Sequence, residues 1–150
     1  MGVDICGFLE ISRLDEVDLQ DEYAWMSCLN LSSLALSTGD ICSILFGESK
    51  YSDTPDEWLP IAKRRGLPTN MAWLTTQAVK GALDNDNTQM STWGYTFISY
   101  EEIEKVDWQT YAGAAPDLTE SYEWGLLFNL MKTLDNASNH QRLIVWFEWR

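Results

Sequence analysis

Asp4, Cys6 and Glu10 place two carboxylates and a thiol on one short stretch near the start of the chain, a donor set that could hold a divalent metal. On a strand, the even separation puts Asp4 and Glu10 on one face but about 20 Å apart at ~3.3 Å per residue, too far for a catalytic carboxylate pair. Both read as members of a solvated strand face. A nucleophilic Cys6 needs a base, and His140 is the single histidine of the chain. That imidazole lies in the turn NASNHQR and reads as a surface residue. It leaves little for general-base chemistry near neutral pH or for a histidine-rich metal site. Asp84-Asn85-Asp86-Asn87-Thr88 opens like a calcium loop, but Gln89 stands where glycine is needed and Tyr95 where glutamate is needed, so it reads as a polar turn. Glycine-rich phosphate loops, nucleophile elbows and HExxH patterns are absent from the sequence.

Charge says more than any motif. Asp and Glu number 23 against 10 Lys and Arg, a formal net charge of −13 on 150 residues. Such a field repels nucleic acid and attracts basic surfaces. Lys63-Arg64-Arg65 is the one basic cluster, and it reads as cations at a helix C-terminus. The carboxylates gather in two runs. Residues 4 to 22 hold Asp4, Glu10, Asp15, Glu16, Asp18, Asp21 and Glu22 against Arg13; residues 101 to 123 hold Glu101, Glu102, Glu104, Asp107, Asp117, Glu120 and Glu123 against Lys105. Part of this is ordinary surface chemistry, because helix N-termini favour carboxylates. Within or just beside the runs, however, are Tyr23, Trp25, Tyr100, Trp108, Tyr122 and Trp124. Acid with interleaved rings suits a cationic partner: charge speeds encounter, and buried rings hold the complex. The residues singled out for partner binding are Asp15, Glu16, Asp18, Asp21, Glu22, Trp25, Glu101, Glu102, Glu104 and Trp108. No catalytic residue, metal ligand or cofactor is assigned.

The elements that must position these groups form one domain over residues 1–150. Apolar residues make up 45% and aromatics 13%, enough for a substantial core. Most of the eight tryptophans are expected in or just beneath that core. Cys6, Cys28 and Cys42 include no C-x-x-C pair and read as buried free thiols of a reducing compartment. The start, MGVDICGFLEIS, lacks the basic and apolar regions of a secretion signal, and the sequence holds no run of roughly 18 apolar residues that could span a membrane. Residues 3 to 12 and the final RLIVWFEW predict strands, as does Trp93 to Ser99. YAWMSCLNLSSLAL predicts a helix with Tyr23, Met26, Leu29 or Asn30, and Ser33 on one face. DICSILFG predicts a short helix ended by Gly47. Thr54-Pro55-Asp56-Glu57 is a helix-start signal for a helix through EWLPIAKRR, shortened or kinked by Pro60. Residues 70 to 83 predict another helix, Ser99 with Glu102 a capping box, and Asp117 with Glu120 the start of a longer helix bearing Leu127, Leu130, Met131 and Leu134. Strands at both ends with helices between them give an α+β fold: a small, mainly antiparallel sheet covered by several helices on one face.

Five segments resemble a family of uncharacterised phage and bacterial proteins that typically begin Met-Gly-Cys-Asp-Ile-His with a glutamate a few residues on. They are Met1-Gly2-Val3-Asp4-Ile5-Cys6 with Glu10, Asp40 to Gly47, Arg65-Gly66-Leu67-Pro68, Thr96 to Ile103, and Arg142 to Glu148. The resemblance implies a phage or mobile-element origin and an intracellular setting, and it supplies no activity. The family's first histidine is replaced by Cys6, and its later histidines by the stretch around Ser91, Thr92 and Trp93. A member that keeps the scaffold and sheds those polar groups is suited to binding.

These readings converge on a small acidic cytoplasmic protein of inhibitor or immunity type. It neutralises a basic protein partner, such as a toxin or a defence effector, and makes no direct contact with nucleic acid or membrane. Two alternatives stand beside this expectation: an enzyme of unknown reaction using Asp4, Glu10 and Cys6 with a divalent metal, and a DNA mimic whose carboxylates imitate phosphates.

Overall fold

The computed structural model describes residues 2–15, 18–48, 58–85, 91–111, 122–137 and 139–149. Four antiparallel strands form one sheet: β1 (Val3–Ser12), β2 (Met26–Asn30), β3 (Thr92–Ser99) and β4 (His140–Trp149), in the order β2-β1-β4-β3. The fold is α+β, with the N- and C-terminal strands at the centre. β1 and β4 pair without interruption from Val3 opposite Trp149 to Ser12 opposite His140. Among the described residues the α-helices are α1 (Asp40–Phe46), α2 (Trp73–Asn85), α3 (Tyr100–Glu104) and α4 (Tyr122–Asn136).

Alternation along the strands sorts their side chains onto two faces. On one face Ile5, Leu9, Ile98, Leu143, Val145 and Phe147 meet Leu45 and Phe46 of α1, Ile103 of α3, and Trp124, Leu127 and Met131 of α4. Trp124 is fully buried and donates its indole N–H to the Ser37 carbonyl at 3.0 Å, so its polar end is satisfied. The opposite face is covered as well. There α2 packs against β1 and β2, burying Thr75 and Val79 together with Ala72 just before the helix, and Thr75 shares a hydroxyl hydrogen bond of 3.0 Å with Ser27. β4 is accordingly buried on both faces from Gln141 to Phe147, which explains its unbroken apolar run. The expected one-sided covering is therefore incomplete. Opposite Val145 in the central ladder, Gly7 (φ +145°) is required, because a Cβ would strike the Ile144 carbonyl.

One predicted helix does not form, and the described part of another, from Trp58 on, is not helical. Residues 23 to 36 hold β2 and a 3-10 turn, Leu31–Leu34, instead of one helix. Pairing with β1 wins over the local helical preference of this stretch, with Leu29 opposite Leu9 and Ser27 opposite Glu10. The start signal at Thr54 to Glu57 lies outside the described residues, and the segment from Trp58 to Arg65 is irregular. Its backbone is committed elsewhere: Ile61 and Ala62 donate to the Ile44 and Leu45 carbonyls (3.3 and 2.8 Å), satisfying groups that the end of α1 leaves open. Gly47 (φ +69°) completes that end by donating to Ser43. Lys63-Arg64-Arg65 therefore does not decorate a helix terminus. Arg64 pairs with Glu48 at 2.8 Å, and Arg65 pairs with Glu102 while its neighbour Gly66 donates to the Tyr95 carbonyl on the outer edge of β3.

A candidate protein-docking surface

The antiparallel order brings one end of every strand together. β1 finishes at Ser12 opposite His140, β2 begins at Met26 opposite Ile11, and β3 finishes at Ser99 opposite Arg142. The loop from β1 to β2 and helix α3 therefore emerge at the same end of the sheet, on opposite edges. Three strand spacings of ~4.8 Å set them about 14 Å apart. Asp15, Asp18, Asp21 and Glu22 of the loop and Glu101, Glu102 and Glu104 of α3 thus share one end of the sheet, at its two edges.

The two runs are not equivalent. In the β1–β2 loop, Asp15, Asp18, Asp21 and Glu22 are exposed, and none forms an ion pair among the described residues. Glu16 lies outside the described residues. The loop is held by successive turns, with Asp18 donating to the Asp15 carbonyl (2.9 Å), Asp21 to Asp18 (3.0 Å) and Ala24 to Asp21 (3.1 Å). A side-chain clasp fastens it to the core. The Asn70 amide donates to the Leu19 and Asp21 carbonyls at 2.8 and 3.1 Å, and the Trp25 indole donates to Leu19 at 3.0 Å. Trp25 is buried rather than presented, and its ring lies 4.0 Å beneath the Arg142 guanidinium.

On the other edge, the carboxylates mostly serve the fold. Glu102 closes the capping box with Ser99 and accepts two bonds from Arg65, at 2.9 and 2.6 Å. The Arg65 bond is the main reason its pKa lies below the usual carboxylate value, with the Ser99 backbone N–H adding to it and partial burial opposing it. Glu101 is bound by Lys105 one turn on, at 2.8 Å. Glu104 is exposed. Trp108 is half-buried and packs its ring 5.8 Å from Phe128, so it belongs to the core margin.

Glu10 is not on a solvated face. It is fully buried, with one carboxylate oxygen accepting from Arg142 Nε at 2.8 Å and the other from the Ala72 N–H at 2.7 Å. Burial lowers the Arg142 pKa, and Glu10 pulls in the opposite sense. Asp4 and Cys6 lie toward the other end of β1, paired with Glu148 and Trp146 of β4. The thiol of Cys6 contacts Glu148 Oε2 at 3.5 Å, and burial, with the Glu148 charge, pushes its pKa up to about 12. Asp4, Cys6 and Glu10 are therefore not gathered, and among the described residues no cluster of three or more His, Cys, Asp and Glu is arranged to hold a metal. Of the three cysteines, Cys42 is buried as expected, Cys6 is half-buried and Cys28 on the edge strand is exposed.

Beside the acidic loop lies an open groove of about 660 Å³, formed by the loop, the start of β2 and the first turns of α2. Glu22, Tyr23, Met26, Trp73, Leu74 and Lys80 line it. Sequence reasoning missed Asn70, Trp73 and Arg142. Only Arg142 left a signal, as a cation at the head of the apolar run of the terminal strand, with the carboxylate of Glu10 available on the other one. No helix among the described residues is long and apolar enough to cross a membrane. No protein-family model, curated protein or solved structure matches this chain.

Proposed function

We propose that this protein is a binding module of inhibitor or immunity type, which docks a basic protein partner on the acidic end of its sheet. One observation carries the reading. The β1–β2 loop holds Asp15, Asp18, Asp21 and Glu22 exposed, outside any ion pair among the described residues and beside the exposed rings of Tyr23 and Trp73. Charge of this kind steers a cationic surface into contact, and a loop already tied down by Asn70 and Trp25 loses little freedom when it binds. A toxin or defence effector of a phage or bacterium, acting in the cytoplasm, is the partner class proposed; that setting rests on the family resemblance alone. With a net charge of −13, the protein does not bind nucleic acid directly.

The experiment is affinity capture from the native host at low salt, comparing the native protein with the variant Asp18→Asn/Asp21→Asn/Glu22→Gln. A basic partner recovered in stoichiometric amount by the native protein and lost with the variant supports the proposal. Capture that is indifferent to the three carboxylates contradicts it.

A further inference from the structure

We infer that the groove beside the acidic loop receives a large apolar side chain of the partner, flanked by lysine or arginine. Four large apolar residues are held open to solvent around this one depression: Tyr23 is 88% exposed, Trp73 72%, Leu74 54% and Met26 53%. Isolated exposed apolar residues are ordinary, but four around one groove mark a contact surface. Tyr23 and Trp73 are residue types that dominate binding energy when a partner covers them.

Charge decides the occupant. Glu22 forms part of the groove wall, and Asp18 and Asp21 stand in the same loop. Among the described lining residues Glu22 is the carboxylate and Lys80 the cation; Lys80 stands on α2, so the negative charge belongs to the loop side of the groove. A partner segment seated here meets carboxylates on the loop side, so cationic residues belong next to its apolar anchor. The groove floor is firm. Asn70 and Ala72 on its lining are fixed by Arg142 and Glu10, so the depression exists before a partner arrives. This inference rests on the proposed function and adds the anchor to it: carboxylates govern the rate of arrival, and the groove governs the rate of departure.

The test uses a displayed random library of roughly twelve-residue peptides, a length suited to a groove-bound segment, selected on the native protein. Synthetic copies of the selected peptides are then measured on the native protein, on Trp73→Ala and on Asp18→Asn/Asp21→Asn/Glu22→Gln. Both sets of changes lie at exposed positions, and far-ultraviolet circular dichroism and unfolding midpoints confirm that the variants fold. The expected peptides carry a large apolar residue next to lysine or arginine. Trp73→Ala speeds their dissociation at least roughly tenfold with little effect on association, while the charge variant slows association. Cationic peptides that bind Trp73→Ala as well as the native protein overturn the groove inference and leave the basic-partner reading standing. Apolar peptides without lysine or arginine that depend on Trp73 overturn the basic-partner reading and leave the groove standing. Absence of any enriched peptide overturns both.

Discussion

Glu10 and Arg142, 132 positions apart, form a buried ion pair of 2.8 Å between the two central strands. The same guanidinium bonds the Asn70 side chain at 3.3 Å and covers the Trp25 ring, and Asn70 and Trp25 hold the carbonyls of the acidic loop. A chain of direct contacts therefore runs from the centre of the sheet to the proposed docking surface. Buried ion pairs contribute little net stability, because desolvation opposes the attraction. The value of this one is positional: it fixes where the loop carboxylates stand.

Removing one member of the pair leaves the other charge buried and alone. Glu10→Ala is expected to lower the unfolding free energy by about 3–5 kcal/mol in urea titrations. The double replacement Glu10→Leu/Arg142→Met is expected to recover most of that loss, since apolar side chains of similar volume pack where the pair was. Amide exchange of Asp18 to Trp25 is expected to stay faster than in the native protein even in the double variant, because Asn70 has lost its support.

The pairing of β1 with β4 makes Gly7→Ala costly. Its Cβ meets the Ile144 backbone, which cannot move without opening the central ladder. A destabilisation of at least ~2 kcal/mol is expected, combining backbone strain with overpacking, and a thermal or denaturant melt measures it.

The three thiols differ enough to be told apart by alkylation. Cys28 is exposed, Cys6 has its pKa raised to about 12, and Cys42 is buried with its pKa raised by desolvation first and the Glu48 charge second. Iodoacetamide at mildly alkaline pH is expected to modify Cys28 alone in the folded protein and all three sites in denaturant, as read by peptide mass spectrometry.

Acid weakens the fold partly through Glu102. Its folded pKa lies below the usual carboxylate value, so its contribution is complete above pH ~4.5 and fades as pH falls through the folded value. Glu102→Gln keeps an acceptor for the Ser99 cap but loses the charge facing Arg65. The variant is expected to lose under about 1 kcal/mol at neutral pH, because the pair is a third exposed, and to show a shallower loss of stability as pH falls below the usual carboxylate range.

Much of the scaffold is legible in the residues. β1 is an alternating strand, β4 a continuous apolar one, Asp40–Phe46 stops at Gly47, and Ser99 with Glu102 forms its box as the spacing requires. These elements declare themselves through local rules of period and capping. β2 does not, because a five-residue strand owes its existence to β1 alongside it and shows no periodic signature of its own. Trp58 to Arg65 misleads for a similar reason, since its donors serve the end of α1. At the candidate site, the acidic loop is plain from composition, whereas the groove depends on β2 and α2 coming together. The burial of Glu10 and Trp25 depends on Arg142, and no spacing rule links residues so far apart.

The most direct measurement is the association rate of this protein with its captured partner as a function of salt. Docking driven by the acidic end of the sheet predicts a partner of basic isoelectric point, whose association rate falls at least roughly tenfold between about 50 and 300 mM salt. It also predicts that Asp18→Asn/Asp21→Asn/Glu22→Gln flattens that dependence. An association rate that ignores both salt and the three substitutions contradicts electrostatic docking at this surface.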